Sequence, residues 1–243
     1  MKNSTGTAAI CIAIIVAFWL AANAYKYKFK TNETISVTGL AEKEFISDKI
    51  VWSGSYSRQT MDLKSAYQQL KDDEGKIRTY LKEKGIVDNE LVFSAVAIQK
   101  QENNKYNDRG QITGTEFAGY LLSQTVTVDS KDIDKIEKLS RQVTELIEHG
   151  IEFNSSPPSY YYTKLGELKV DLLAKASADA KQRAETIAKN SGSSLGRIKK
   201  ATMGVFQITG QNSNEDFSYG GSFNTSSKDK KASITLKSDY ALD

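Results

Sequence analysis

The residues with the means to do chemistry are two small groups of carboxylates, Asp72-Asp73-Glu74 and Glu42 with Glu44, and one histidine, His149. Neighbouring carboxylates can pass a proton or hold a hard cation, so each group is a candidate for acid–base or metal chemistry. Charged runs on helices and loops are more often solvated faces, and that reading is preferred. A single histidine rules out a His-rich metal site and argues against a Ser-His-Asp triad. His149 follows a helical run and precedes Gly150, where a cation suits the negative end of the helix dipole. The only cysteine, Cys11, lies in an apolar segment, which leaves the folded part without disulfides, thiolate metal sites or a thiol nucleophile. Gly220-Gly221 lacks the Gly-Lys-Ser/Thr that completes a phosphate-binding loop. The expectation is a chain with no catalytic residues, no metal site and no cofactor.

Charge excludes a further class. Lys+Arg number 33 against 30 Asp+Glu, with the signs interspersed, so no strongly basic face points to nucleic acid. The hydrophobic fraction of 39% is somewhat low for a globular protein, which long polar loops explain.

The elements that must position these groups begin with an apolar run, Ala8 to Ala22, which Gly6, Thr7 and Ala24 extend towards the ~20 residues that span a bilayer. Trp19 and Tyr25 sit near one end, as interfacial aromatics do. A cleaved signal peptide would use Ala22-Asn23-Ala24 as its small-x-small site. An uncleaved anchor would keep the helix and follow it with Lys26, Lys28 and Lys30, a membrane-flanking cluster able to touch anionic head groups. The anchor is favoured, because bulky residues continue to Leu20. Ile10 occupies the place where a lipoprotein box needs a small residue. By lysine count alone, the large domain would stay in the cytoplasm.

Beyond the anchor, hydrophobic periodicity sets the elements. Ile35 to Gly39 reads as a short strand, and Ile50, Trp52, Gly54 and Tyr56 alternate as one face of another. Leu63, Ala66, Leu70, Ile77 and Leu81 mark a helix from Asp62 to Lys84, ended by Gly85. Leu91 to Gln99 is a strand, Gln101 to Thr113 a polar hairpin tip, and Phe117 to Val128 the returning strand. Ser130 or Asp129 can cap a helix carrying Ile133, Ile136, Leu139, Val143 and Leu146. Ile151 to Phe153 starts a strand that Pro157-Pro158 interrupts and Tyr160-Tyr161-Tyr162 resumes. The dominant element is a long helix from Leu165, ended by Asn190-Ser191-Gly192, whose stripe Leu165, Leu168, Leu172, Ala176, Ala180, Ala184 and Ile187 turns to alanine in its lower half. A strand from Ile198 to Thr209, a Gly/Ser/Asn-rich stretch from Gly210 to Lys230, and a last strand from Ala232 to Tyr240 complete the chain. The order from Ile50 to Tyr162 is β-α-β-β-α-β, a ferredoxin-like unit, and the class is α+β.

Three stretches in this order carry a family resemblance. They are Ile35-Ser36-Val37-Thr38-Gly39, Gly119-Tyr120 leading into Thr125-Val126-Thr127-Val128, and the long helix. In that helix Leu173-Ala174-Lys175-Ala176, Asp179-Ala180, Ala184-Glu185, Ala188 and Gly192-x-x-Leu195-Gly196 stand out. Over roughly Thr34 to Leu242 the chain resembles the SIMPL domain family of bacterial envelope proteins, which includes immunogenic periplasmic proteins and an oxidative-stress-defence protein. It departs from the family in the long loop Gly210 to Lys230. The resemblance implies two small α/β-sandwich subdomains, an inner one near 86–163 and an outer one from 31–85 plus 164–242, behind an N-terminal transmembrane or signal helix. It also implies export across the inner membrane, a periplasmic main domain, ring-like homo-oligomers in some members, and no established catalytic residues. The lysine count and the family disagree on topology, and the family reading is adopted.

The function expected is therefore that of a non-enzymatic envelope protein that self-assembles or scaffolds, with a link to stress defence implied by the family. The alternative is a binding module for an envelope polymer or small ligand. Candidate contact surfaces are the alanine stripe (Ala176, Ala180, Ala184), the aromatic run Tyr160, Tyr161, Tyr162, and the loop residues Phe217, Tyr219 and Phe223. For the stripe and the tyrosines the competing reading is packing within the chain. For the loop it is disorder.

Overall fold

The computed structural model describes residues 4–30, 33–215 and 218–242. Its first element is helix α1, Ser4–Lys30. Within it Ile10–Tyr27 is long and apolar enough to cross a membrane, with mean hydropathy 1.6, and none of that window is buried. Strands β1 (Thr34–Ile46) and β2 (Lys49–Thr60), helix α2 (Leu63–Glu83), and strands β3 (Leu91–Phe93), β4 (Ala97–Tyr106) and β5 (Ile112–Ser130) follow. Then come helix α3 (Ile133–Gln142), strands β6 (Phe153–Ser155) and β7 (Ser159–Tyr161), helix α4 (Leu165–Asn190), and strands β8 (Leu195–Met203), β9 (Gln207–Gly210) and β10 (Asp229–Leu242).

These elements form two sheets, each with its own core. In one, β3-β5-β2-β6 lie in that order, with β4 also on β5 and β7 also on β2. β2 and β3 are both antiparallel to β5 and so run parallel to each other with β5 between them, the split arrangement of a ferredoxin-like layer. Helices α2 and α3 cover one face, over a core that includes Trp52, Leu70, Ile77, Leu122, Val126 and Ile136. Asp62 caps α2 by accepting the Ser65 N–H at 2.8 Å. Asp132, rather than Ser130 or Asp129, caps α3 by accepting the Lys135 N–H at 3.2 Å, because β5 runs on to Ser130. The helical run expected to continue through Leu146 is α-helix only to Gln142 and a 3-10 helix from Val143 to His149.

The other sheet has β10 at its centre, paired with all of β1 from Thr34↔Ala241 to Ile46↔Asp229. Its other edge carries β8 and β9 in succession. Helix α4 lies across β1 and β10 and buries Leu168, Leu172, Ala176, Ala180, Ala184 and Ala188, whereas Ile187, expected to continue the stripe, is exposed because Ala188 holds the inward position.

The sheets divide the chain differently from the expected subdomains. β2 is the central strand beside β5, and α2 covers it, so 49–163 forms one layer and β1 plus 165–242 forms the other. The expected strand Leu91 to Gln99 is broken at Ser94, whose carbonyl accepts from Gln124 Nε2 at 2.9 Å and whose hydroxyl accepts from the Thr125 N–H at 3.1 Å. The expected strand Ile198 to Thr209 breaks at Gly204, where the chain closes on Thr235.

Candidate functional site

The three carboxylates of Asp72-Asp73-Glu74 share one helix but diverge, since successive residues of a helix point about 100° apart. Asp72 faces solvent. Asp73, only 2% exposed, turns into the sheet and accepts from Arg58 Nε at 2.5 Å and from Arg58 Nη2 at 2.9 Å. The same guanidinium donates to the Gly150 carbonyl at 2.7 Å. The Asp73 hydrogen bond, against the opposing effect of burial, raises the Arg58 pKa further. Burial disfavours the Glu74 anion, but hydrogen bonds from Lys71 and Arg78 outweigh it and hold the carboxyl below its usual range. Tyr56 donates to Gln124 Oε1 at 2.6 Å, and burial, then the Glu74 and Asp73 charges, push its hydroxyl far up. This cluster ties α2 to the sheet.

Glu42 and Glu44 lie on the face of β1 away from α4. Glu42 pairs with Lys231 at 2.7 Å, and Glu44 accepts from Gln211 Nε2 at 2.8 Å. His149 ends the 3-10 helix beside left-handed Gly150, as its spacing predicts. Among the described residues no three His, Cys, Asp or Glu side chains gather as metal ligands.

The candidate contact residues fall in three different environments. Ala176, Ala180 and Ala184 are fully buried under β1 and β10, so this stripe is not an intermolecular surface. Its alanines are needed because β1 comes so near: a Cβ on Gly39 would lie 2.1 Å from the Ala176 carbonyl oxygen and 2.6 Å from the Ala180 nitrogen. Tyr160 and Tyr162 are half-buried and serve the junction of the two layers. Tyr160 packs on the β2 core, donates to Glu137 Oε1 at 2.8 Å, and has its hydroxyl pushed up to about 12 by burial and then by Glu137. Tyr162 packs on the other core, with its ring 4.8 Å from that of Phe45. Tyr161 lies between them, half-buried in β7 and paired with Lys49. Asp48 closes the junction by accepting from the Thr163 N–H and hydroxyl, both at 2.7 Å. Packing within the chain therefore accounts for Tyr160 and Tyr162.

Phe217 lies outside the described residues. Tyr219 is fully exposed and Phe223 half-exposed. The described part of their loop is ordered by Gln207, a buried amide that donates to the Ser218 carbonyl at 2.7 Å and accepts from the Ser222 N–H at 2.7 Å. Ser222 and Asn224 add to the sheet beside Ile208 through backbone bonds of 2.7 and 2.9 Å. Tyr219 thereby borders a groove of about 620 Å³ with Leu40, Val205, Ile234 and Thr235.

One surface feature goes beyond the expected polar hairpin tip. β4 and β5 stay paired from Ala97↔Ser123 to Tyr106↔Ile112 and form a long two-stranded arm. Only the turn 107–111 is loop, held by the Asn107 carboxamide, which accepts from the Arg109 and Gln111 N–H groups. Among the described residues the arm packs against nothing on either face over most of its length, and it exposes Ile98, Tyr106, Ile112 and Phe117. Asn107-Asp108-Arg109-Gly110 flanked by Tyr106 and by Ile112-Thr113 was the available sequence signal for strands reaching so near the tip.

Fold and surface together define a two-layered α+β protein whose prominent exposed features are an arm, a groove and an apolar N-terminal helix. The chain belongs to the SIMPL family: the family model, described as a protein of unknown function (DUF541), matches residues 35–238. Comparison with curated proteins gives no significant match.

Proposed function

We propose that the chain is a non-enzymatic, membrane-tethered protein of the bacterial cell envelope that self-assembles and acts as a scaffold. The observation that carries this reading is the β4–β5 arm. A two-stranded ribbon is marginally stable alone in water, and its open edges are templates for pairing with another chain. Tethering is supported by the length and apolar composition of α1, which carries Lys26 near its C-terminal end. The resemblance to envelope proteins supports export, with the main domain in the periplasm, and cleavage after Ala24 is the alternative. The non-enzymatic reading is supported by what the candidate carboxylates do, since Asp73 and Glu74 are held by Arg58, Lys71 and Arg78. A role in stress defence is supported by the resemblance alone.

The test is intact mass and light scattering of the native protein, extracted from the producing membranes in mild detergent. A full-length chain in a discrete assembly is expected. A monomer would refute self-assembly, and a chain beginning at Tyr25 would refute the tether. A second reading, a binding module for an envelope polymer or small ligand, is favoured by the Tyr219 groove. Cell-wall material that leaves the protein in the supernatant of a pull-down would count against it.

A further inference from the structure

Three residues separate the end of α1 at Lys30 from the start of β1 at Thr34. A chain that short reaches no more than about 14 Å, and Lys30 lies about 4.5 Å of helix beyond Tyr27, the last residue of the apolar window. With α1 across a bilayer, Thr34 is held within about 20 Å of the end of the apolar span. Sheet register says what else is held there. Thr34 pairs with Ala241 and Ile35 with Tyr240 of β10, while on the other side of β10 Tyr240 pairs with Ile198 and Asp239 with Lys200 of β8. Two strand spacings of about 4.8 Å therefore separate Ile198 from Ile35. Helix α4 ends at the same place: Ala184 packs with Val37 and Tyr240, and Lys189 lies in the last turn beyond it. From here β1 runs about 40 Å to Ile46 before the chain enters the other layer.

This end of the layer is basic, although the chain as a whole is nearly balanced in charge. β8 carries Arg197, Lys199 and Lys200 and no carboxylate; all three are exposed, and exposed Lys189 adds a fourth cation. Among the described residues none of the four is in an ion pair, whereas Lys175, Lys181 and Arg183 earlier in α4 are paired with Asp171, Glu185 and Asp179. Ile198, itself exposed, stands between the cations of β8. The carboxylates nearby are exposed Glu33, Asp239 opposite Lys200, and Asp243, which lies outside the described residues. Lys26, Lys28 and Lys30 precede them in the sequence, so cations outnumber acids at this end.

Resting on the tether reading above, we infer that β8 and the end of α4 dock on the surface of the membrane that α1 crosses, with Lys189, Arg197, Lys199 and Lys200 against anionic lipid head groups. The chemistry is that of a polybasic juxtamembrane segment, presented here by a sheet edge. Attraction of this kind decays over a screening length of about 8 Å at physiological salt. It therefore acts only on groups kept near the surface, as the short tether keeps these. Cations also blunt an open sheet edge, but that role is indifferent to lipid. The docked edge sets the tilt of the domain on the bilayer, which a three-residue connection by itself leaves free.

The experiment uses the full chain carrying Cys11→Ser and Thr202→Cys, with a donor fluorophore on the single thiol of β8. It is reconstituted into vesicles with acceptor-labelled head groups, made of phosphatidylcholine alone or of equal parts phosphatidylglycerol and phosphatidylcholine. Energy transfer is expected to be higher in the anionic vesicles and to fall to the neutral level in ~1 M salt, where the screening length is about 3 Å. The same fall is expected when Arg197→Gln, Lys199→Gln and Lys200→Gln are combined, with circular dichroism unchanged. Each cation near an anionic surface is worth about fivefold in binding, so the triple change lowers the docked-to-free ratio roughly 100-fold. Equal transfer in anionic and neutral vesicles, or transfer that neither salt nor the triple change reduces, overturns the docking. The tether stands in that case if the vesicles retain the chain through an alkaline carbonate wash. A chain washed off the vesicles refutes the tether, and the docking falls with it.

Discussion

Replacing Gly39 with alanine tests the contact that shapes the β1–α4 layer. The added Cβ would sit 2.1 Å from the Ala176 carbonyl oxygen, 2.6 Å from the Ala180 nitrogen and 2.8 Å from the Ala180 Cβ. The two nearest atoms are backbone, so no side-chain rotation relieves them, and β1 must retreat from α4 by roughly 1.3 Å to reach ordinary contact. Overpacking by one methyl costs about 1–3 kcal/mol, and a clash between two backbones belongs at the top of that range. At about 2–4 °C per kcal/mol for a chain of this size, a loss of about 3 kcal/mol lowers Tm by about 6–12 °C. The assay is thermal unfolding of the full chain followed by circular dichroism, with hydrogen exchange to locate the loss in α4. Gly75→Ala is the matched control. It makes the same chemical change in α2 with nothing within 4 Å of the new Cβ, so helix propensity should raise stability by about 0.5–1 kcal/mol. A Gly39→Ala melt within about 2 °C of the parent, or full rescue by Ala180→Gly, which relieves only the side-chain contact, would refute the reasoning.

Two further outcomes follow from the ion pairs. Arg58→Met should destabilise the β2 layer by about 3 kcal/mol in urea unfolding monitored at Trp52, because Asp73 stays buried without its guanidinium; an unchanged midpoint would mean that the pair is dispensable. The Asp179 carboxyl is held below its ordinary 3.8 by the Leu40 N–H and by Arg183, so the unfolded chain binds this proton more readily than the native one. Its contribution is therefore full above about pH 4 and is lost as pH falls through the lower native value. Asp179→Asn should lose less stability than the parent over that acid range, and parallel acid unfolding curves would contradict this.

Much of the architecture is legible in the sequence because it rests on periodicity. The stripe of α4, the alternation of β2 and the order β-α-β-β-α-β each follow from local apolar spacing, and a single cysteine and histidine exclude whole classes of site without any structure. The family, too, is carried by short local motifs.

What remained for the tertiary structure depends on partners distant in the chain. An alanine stripe reads the same whether another subunit or the chain's own strand lies upon it, and only the approach of Gly39 decides that β1 fills the place. Helix geometry alone does not say which of Asp72, Asp73 and Glu74 turns inward, because Arg58 of β2 supplies the charge that lets Asp73 be buried. The polar run after Gln101 has loop composition, yet β5 continues past the end of β2 and offers every residue up to Tyr106 a pairing partner. Local spacing thus determined which segments are helix or strand, while pairing across the chain determined which faces are closed and which edges stay open.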